Sequence, residues 1–151
     1  MKNWLWMSTI IVSFLLIFPT LSFCTSNEPS VNAIKEAQQD IEKHPEKLDN
    51  WYALLQLYDE KEHMMQLVPI YRAFSKQFPK NPEVQFRVGA FFERIGNIDD
   101  AYICFNDARS IKPENIVYQL GFARACELLN KREIQIITLQ KIIALSPNNQ
   151  Y

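Results

Sequence analysis

The stretch PEVQFRVGAFFERIGNIDDAYICFNDARSIKP, residues 82–113, decides how this chain folds. It reads as two helices of about fourteen residues each, joined by a turn and stopped by a proline. The turn is Gly96-Asn97-Ile98-Asp99. Gly96 is free to take a positive φ there, and Asp99 is placed to cap the second helix. Gly89, Ala101 and Ala108 fall where the two helices would cross, so their missing side chains let the backbones close, and Phe105 fills the space beside them.

Working outward, the same unit recurs. Pro45, Pro79, Pro113 and Pro147 each stand 34 residues after the last. Other columns keep that step: Leu54 with Val88 and Phe122, Tyr58 with Phe92 and Cys126, Tyr71 with Phe105 and Leu139. A fixed period of this size marks a stacked array in which each unit is one supersecondary element. Inside the first unit, Trp51, Leu54, Leu55 and Tyr58, then Leu67, Tyr71 and Phe74, step by three and four, the spacing of one helical face. That unit carries Leu55, Leu67 and Phe74 in the columns where its neighbour has small residues, and Pro69 early in its second helix. A wider crossing and a late or kinked start are expected there.

With the period and these columns in view, the chain resembles the tetratricopeptide repeat family. Repeats run over 48–81, 82–115 and 116–149, the middle one matching best through Gly89, Phe92, Ala101, Phe105, Ala108 and Pro113. The first keeps Trp51, Leu54, Tyr58, Tyr71 and Pro79; the third keeps Ala123, Leu139 and Pro147. Residues 28–47 hold a linker and a lone packing helix with Val31, Ile34, Ala37 and Ile41 on one face. The resemblance implies an all-α fold: an α-solenoid of antiparallel helix-turn-helix hairpins, wound as a right-handed superhelix.

The resemblance also implies a non-catalytic scaffold that holds a protein or peptide partner in a groove lined by the first helix of each repeat. Tyr52, Phe86 and Leu120 form an apolar ladder on that face. Beside it run Gln56, Ala90 and Arg124, then Asp59, Glu93 and Glu127, an arrangement suited to a segment with hydrophobic anchors and a basic flank. The basic clamp with which some family members hold a C-terminal carboxylate is missing, since those columns carry Tyr52, Gln56 and Ala90. In the last helix Ile134, Ile136, Ile137, Leu139, Ile142, Ile143 and Leu145 spread apolar area over more than half the circumference. One hairpin partner does not cover that arc, so Ile136, Ile143 and Leu145 are expected to form a terminal interface. Either the array continues or this face docks on another subunit; self-association through it is the alternative function, as an envelope-assembly subunit.

Composition narrows the rest. The 151 residues are 48% hydrophobic, which suits one modest repeat domain. Only three glycines occur, too few for a many-stranded β fold and too scattered for a phosphate cradle. Sixteen Lys and Arg against seventeen Asp and Glu leave no basic footprint for nucleic acid. His44 and His63 are the only histidines, and neither stands at metal-ligand spacing; no cofactor, metal site or catalytic grouping is expected. His63-Met64-Met65 reads as a polar turn entering an apolar helix in preference to a soft copper site. Cys104 and Cys126 lie in successive helices, either as a disulfide between repeats or as two separate buried thiols.

Residues 1–27 differ in kind from the rest of the chain. Lys2 is their only charge, Trp4 to Phe18 is apolar or hydroxylic, and Pro19 ends any helix. Three readings fit: a cleaved export signal, a lipid-modified Cys24 in a lipobox-like Leu21-Ser22-Phe23-Cys24, or an uncleaved anchor able to cross ~30 Å of hydrocarbon. The lipobox position before the cysteine ordinarily holds a small residue, and Phe23 is large. All three place the repeats outside the cytoplasm, periplasmic, secreted or membrane-anchored, with membrane contact only through this segment.

Overall fold

The computed structural model describes residues 31–58 and 64–146. Within them the regular elements are all helices, seven of them: α1 Val31–Lys43, α2 Leu48–Leu57, α3 Met64–Gln77, α4 Pro82–Arg94, α5 Ile98–Ile111, α6 Ile116–Leu128 and α7 Arg132–Leu145. Helices α2–α3, α4–α5 and α6–α7 form three successive hairpins behind the lone α1, an all-α helical-hairpin solenoid. No helix among the described residues is long and apolar enough to cross a membrane.

The proline ruler has a local cause. Pro45, Pro79 and Pro113 each sit in a turn closed by a backbone bond three residues wide: Lys47 N to His44 O, Asn81 N to Phe78 O and Asn115 N to Lys112 O. Each proline is the second residue of its turn, where a fixed φ is already the required one. Pro147 lies outside the described residues. The Trp51 column then ties each turn to the next hairpin. Trp51 Nε1 donates to Pro45 O at 2.9 Å, Gln85 Nε2 to Phe78 O at 3.1 Å and Gln119 Nε2 to Pro113 O at 2.7 Å. A side-chain N–H is the constant of that column, and the indole is only one way to supply it.

Asn81 and Asn115, also 34 apart, cap α4 and α6, each accepting from two backbone N–H groups. The cap of α5 is Asn97, whose Oδ1 accepts from Asp100 N at 3.3 Å; Asp99, expected in that role, lies inside the first turn instead. Helices α4 and α6 end alike. Gly96 at φ 80° and Asn130 at φ 55° occupy the left-handed position, and the next residue reaches back, Asn97 N to Phe92 O and Lys131 N to Cys126 O. These are Schellman endings one period apart.

Small residues set the hairpin spacing as expected. Ala101 and Ala108 are fully buried between α4 and α5, and a Cβ on Gly89 would stand 2.8 Å from Phe105 Cδ1. The α2 and α3 backbones approach one another far less closely than α4 and α5 do, because Leu55, Leu67 and Phe74 fill the space between them. Pro69 lies within α3. Between hairpins the seams are aromatic. Tyr71 stacks on Phe91 with ring centroids 4.0 Å apart, and Tyr102 meets Phe122 at 4.9 Å.

Candidate functional site

A concavity of about 420 Å³ opens where α4, α6 and α7 meet over Phe105 of α5. Its floor is apolar: Phe86 and Ala90 from α4, Val117, Leu120 and Gly121 from α6, Leu139 from α7. Glu93, Arg124, Glu127 and Gln135 form its polar rim. Phe86 is held there by Phe105 and Tyr118, with ring centroids at 5.3 and 5.2 Å. Gly121 is what lets it lie flat, since a Cβ at that position would come within 2.8 Å of Phe86 Cε2. Leu120 is 49% exposed and points an apolar surface at whatever enters.

The cleft gathers Phe86, Ala90, Glu93, Leu120, Arg124 and Glu127 out of the nine residues expected to line a groove. The other three are elsewhere. Tyr52 packs edge-on against Phe74 at 5.6 Å and is roofed by the Arg87 guanidinium, 4.6 Å from its ring centroid. Its hydroxyl is buried with no hydrogen-bond partner, and burial, then the Glu83 carboxylate, raises the phenol above its ordinary pKa. Gln56 is exposed outside the cleft, and Asp59 lies outside the described residues. The apolar ladder therefore has two rungs in the cleft, not three, and the Arg87 guanidinium lies over the ring of the remaining one.

The acidic column is also not what its spacing suggests. Arg124 Nε and Nη2 both hydrogen-bond the Glu93 carboxylate, a two-pronged ion pair between α6 and α4. Hydrogen bonding to Glu93 raises the already high Arg124 pKa. Glu93 is thus committed within the fold, while Glu127 stays exposed at the rim.

On α7, two of the three residues expected to form a terminal interface share an exposed face. Ile136 is 54% and Ile143 70% exposed, and the two lie within ~20° of one another around the helix. Leu145, nine residues from Ile136, falls ~180° away and is half-buried. Thr138 is the buried residue of α7, its hydroxyl donating to Ile134 O.

Cys104 and Cys126 are both free thiols, each buried, so the disulfide reading is not realised. Burial, then Asp107, pushes the Cys104 thiol up to about 11, and burial raises Cys126 as well. Both are protonated near neutral pH, which removes the nucleophilic form. Among the described residues no three His, Cys, Asp or Glu side chains converge to hold a metal ion. Cys24 and His63 lie outside the described residues.

These hairpins, their small-residue crossings and their period define a tetratricopeptide-like repeat fold. No family model matches the sequence, and no curated protein does. Among solved structures, one titled "MamA MSR-1 C2" superposes with a TM-score of 0.59 at 20% identity, over 78% of this chain and 67% of its own. The likeness is one of fold.

Proposed function

We propose that this chain is a non-catalytic interaction scaffold that holds a partner protein in the α4–α6–α7 cleft. The observation that carries the reading is the apolar floor of exposed Leu120 and Val117 with half-buried Phe86, beside one uncommitted carboxylate, Glu127. Large apolar groups aligned at a solvent-facing cleft cost free energy unless something covers them. A volume of about 420 Å³ suits one or two apolar anchor side chains of a protein segment, with a basic residue reaching the rim.

The uncharged segment over residues 3–27 supports a second part of the proposal: the scaffold works on the outer side of the cytoplasmic membrane, exported or anchored by that segment. Cys24 is its proposed lipidation position if the leader is of the lipobox kind. Affinity capture from envelope extract tests the binding reading. The comparison is wild type against Leu120→Glu, a substitution at a half-exposed position that leaves the core untouched. Loss of a captured protein in the variant is the expected result, and an unchanged capture profile overturns the reading. Mass analysis of the mature N-terminus tests the leader: a start at residue 1 without modification refutes both cleavage and lipidation.

A further inference from the structure

The solenoid displays, where α6 meets the α4–α5 hairpin, the chemistry by which one of its own helices is seated on the preceding hairpin. Arg124 of α6 grips Glu93, and Gly121 of α6 lies over Phe86 and Phe105. Phe122 sits against Tyr102, with the Arg109 guanidinium 3.7 Å from its ring centroid on the same seam. The seat is therefore Phe86, Glu93, Tyr102, Phe105 and Arg109. One period further on, the same five places are Leu120, Glu127, Ile136, Leu139 and Ile143. All five are exposed among the described residues, and four are large and apolar. The fifth is again a glutamate.

We infer that the α6–α7 face is the seat for one further amphipathic helix, contributed by a partner protein, that carries a small residue, an aromatic residue and, two positions later, a cation. This rests on the reading of the cleft as a partner site and names what that partner presents. The small residue passes over Leu139, as Gly121 passes over Phe105. The aromatic ring lies between Ile136 and Ile143, as Phe122 lies between Tyr102 and Arg109. The cation reaches Glu127, as Arg124 reaches Glu93. Charge complementarity and continuity with an existing seam both select a helix of this register over an extended strand, whose side-chain period of two places no such triplet on one face. A second copy of the chain fits less well: its own small-aromatic-x-cation triplet, Gly121-Phe122-Ala123-Arg124, is already used against its α4–α5 hairpin.

The probe is a helix-stapled peptide of residues 115–131 with Cys126→Ala, titrated by fluorescence anisotropy into the full chain. Wild type is expected to bind it, Leu120→Glu to lose it, and Glu127→Arg to weaken it about fivefold, the scale of an exposed charge pair. The same peptide with Arg124→Glu reverses the order, binding Glu127→Arg better than wild type. No binding to wild type, or an affinity indifferent to the charge at 127, overturns the inference. So does a wild-type dimer that the peptide fails to dissociate, since a second copy then owns the face. Failure of the peptide alongside Leu120-dependent capture from extract sinks this inference and leaves the scaffold reading standing. A charge-swap pattern without any captured envelope protein does the reverse.

Discussion

Replacing Gly89 with alanine tests the central packing argument directly. A Cβ there stands 2.8 and 2.9 Å from two ring carbons of Phe105, where ordinary carbon contacts lie near ~3.5–4.0 Å. Phe105 is 1% exposed and has no room to retreat. Its ring is backed by Gly121, whose own Cβ would stand at 3.1 Å, and by Phe86. Relief must come from parting α4 and α5 or forcing the ring off its rotamer, a cost of about 1–3 kcal/mol. Alanine's better helix propensity returns about 1 kcal/mol, leaving Gly89→Ala destabilised by about 1 kcal/mol or somewhat more. Gly121→Ala meets Phe86 first, a ring that borders the open cleft and swings aside, and Phe105 only at 3.1 Å, so it should cost less than Gly89→Ala. Urea denaturation of both variants, in the wild-type and Phe105→Leu backgrounds, measures the difference. With Phe105 shortened, Gly89→Ala turns from destabilising to neutral or stabilising. A Gly89→Ala protein with an unchanged midpoint in the wild-type background refutes the account of why these helices approach.

Other outcomes are expected on the same structural grounds. Gln85 is 2% exposed, and its amide binds Ser75 O and Phe78 O while accepting from the Ser75 hydroxyl. Gln85→Leu orphans these groups, and chemical denaturation should show a loss of about 2–3 kcal/mol. Asn130 holds a left-handed φ, so Asn130→Gly should raise stability by up to about 1 kcal/mol, whereas Gly96→Ala, at φ 80°, should lower it by about as much in thermal melts. The Cys104 thiol titrates at about 11 in the folded protein and near 9.0 when unfolded. Its contribution to stability is therefore complete below pH 9 and disappears as pH rises toward 11, because the unfolded thiol ionises first. Iodoacetamide labelling of native protein at pH 8 should be slow at Cys104 and become fast on unfolding; fast native labelling contradicts the burial.

The sequence alone determined the helices, their pairing and the 34-residue period. These depend on local rules: a proline's fixed φ in a turn, a glycine past a helix end, and apolar side chains recurring at three and four. Two further local signals, the Asn81–Asn115 caps and the Trp51–Gln85–Gln119 donors, stand on the same step. They are polar columns, and a pattern built on apolar spacing does not register them. The tetratricopeptide resemblance carried the expectation of a groove, and six of the nine residues expected there line the α4–α6–α7 cleft. What only tertiary structure decided is which of those residues are spent on the fold itself. Glu93 is taken by Arg124, 31 positions away on another helix, and Tyr52 is roofed by Arg87. Column arithmetic places residues on a face, but whether two long side chains meet depends on how far one helix is shifted and rotated against the next. That offset is set by Phe105 lodged between Gly89 and Gly121, a contact spanning three helices that no single-helix period contains.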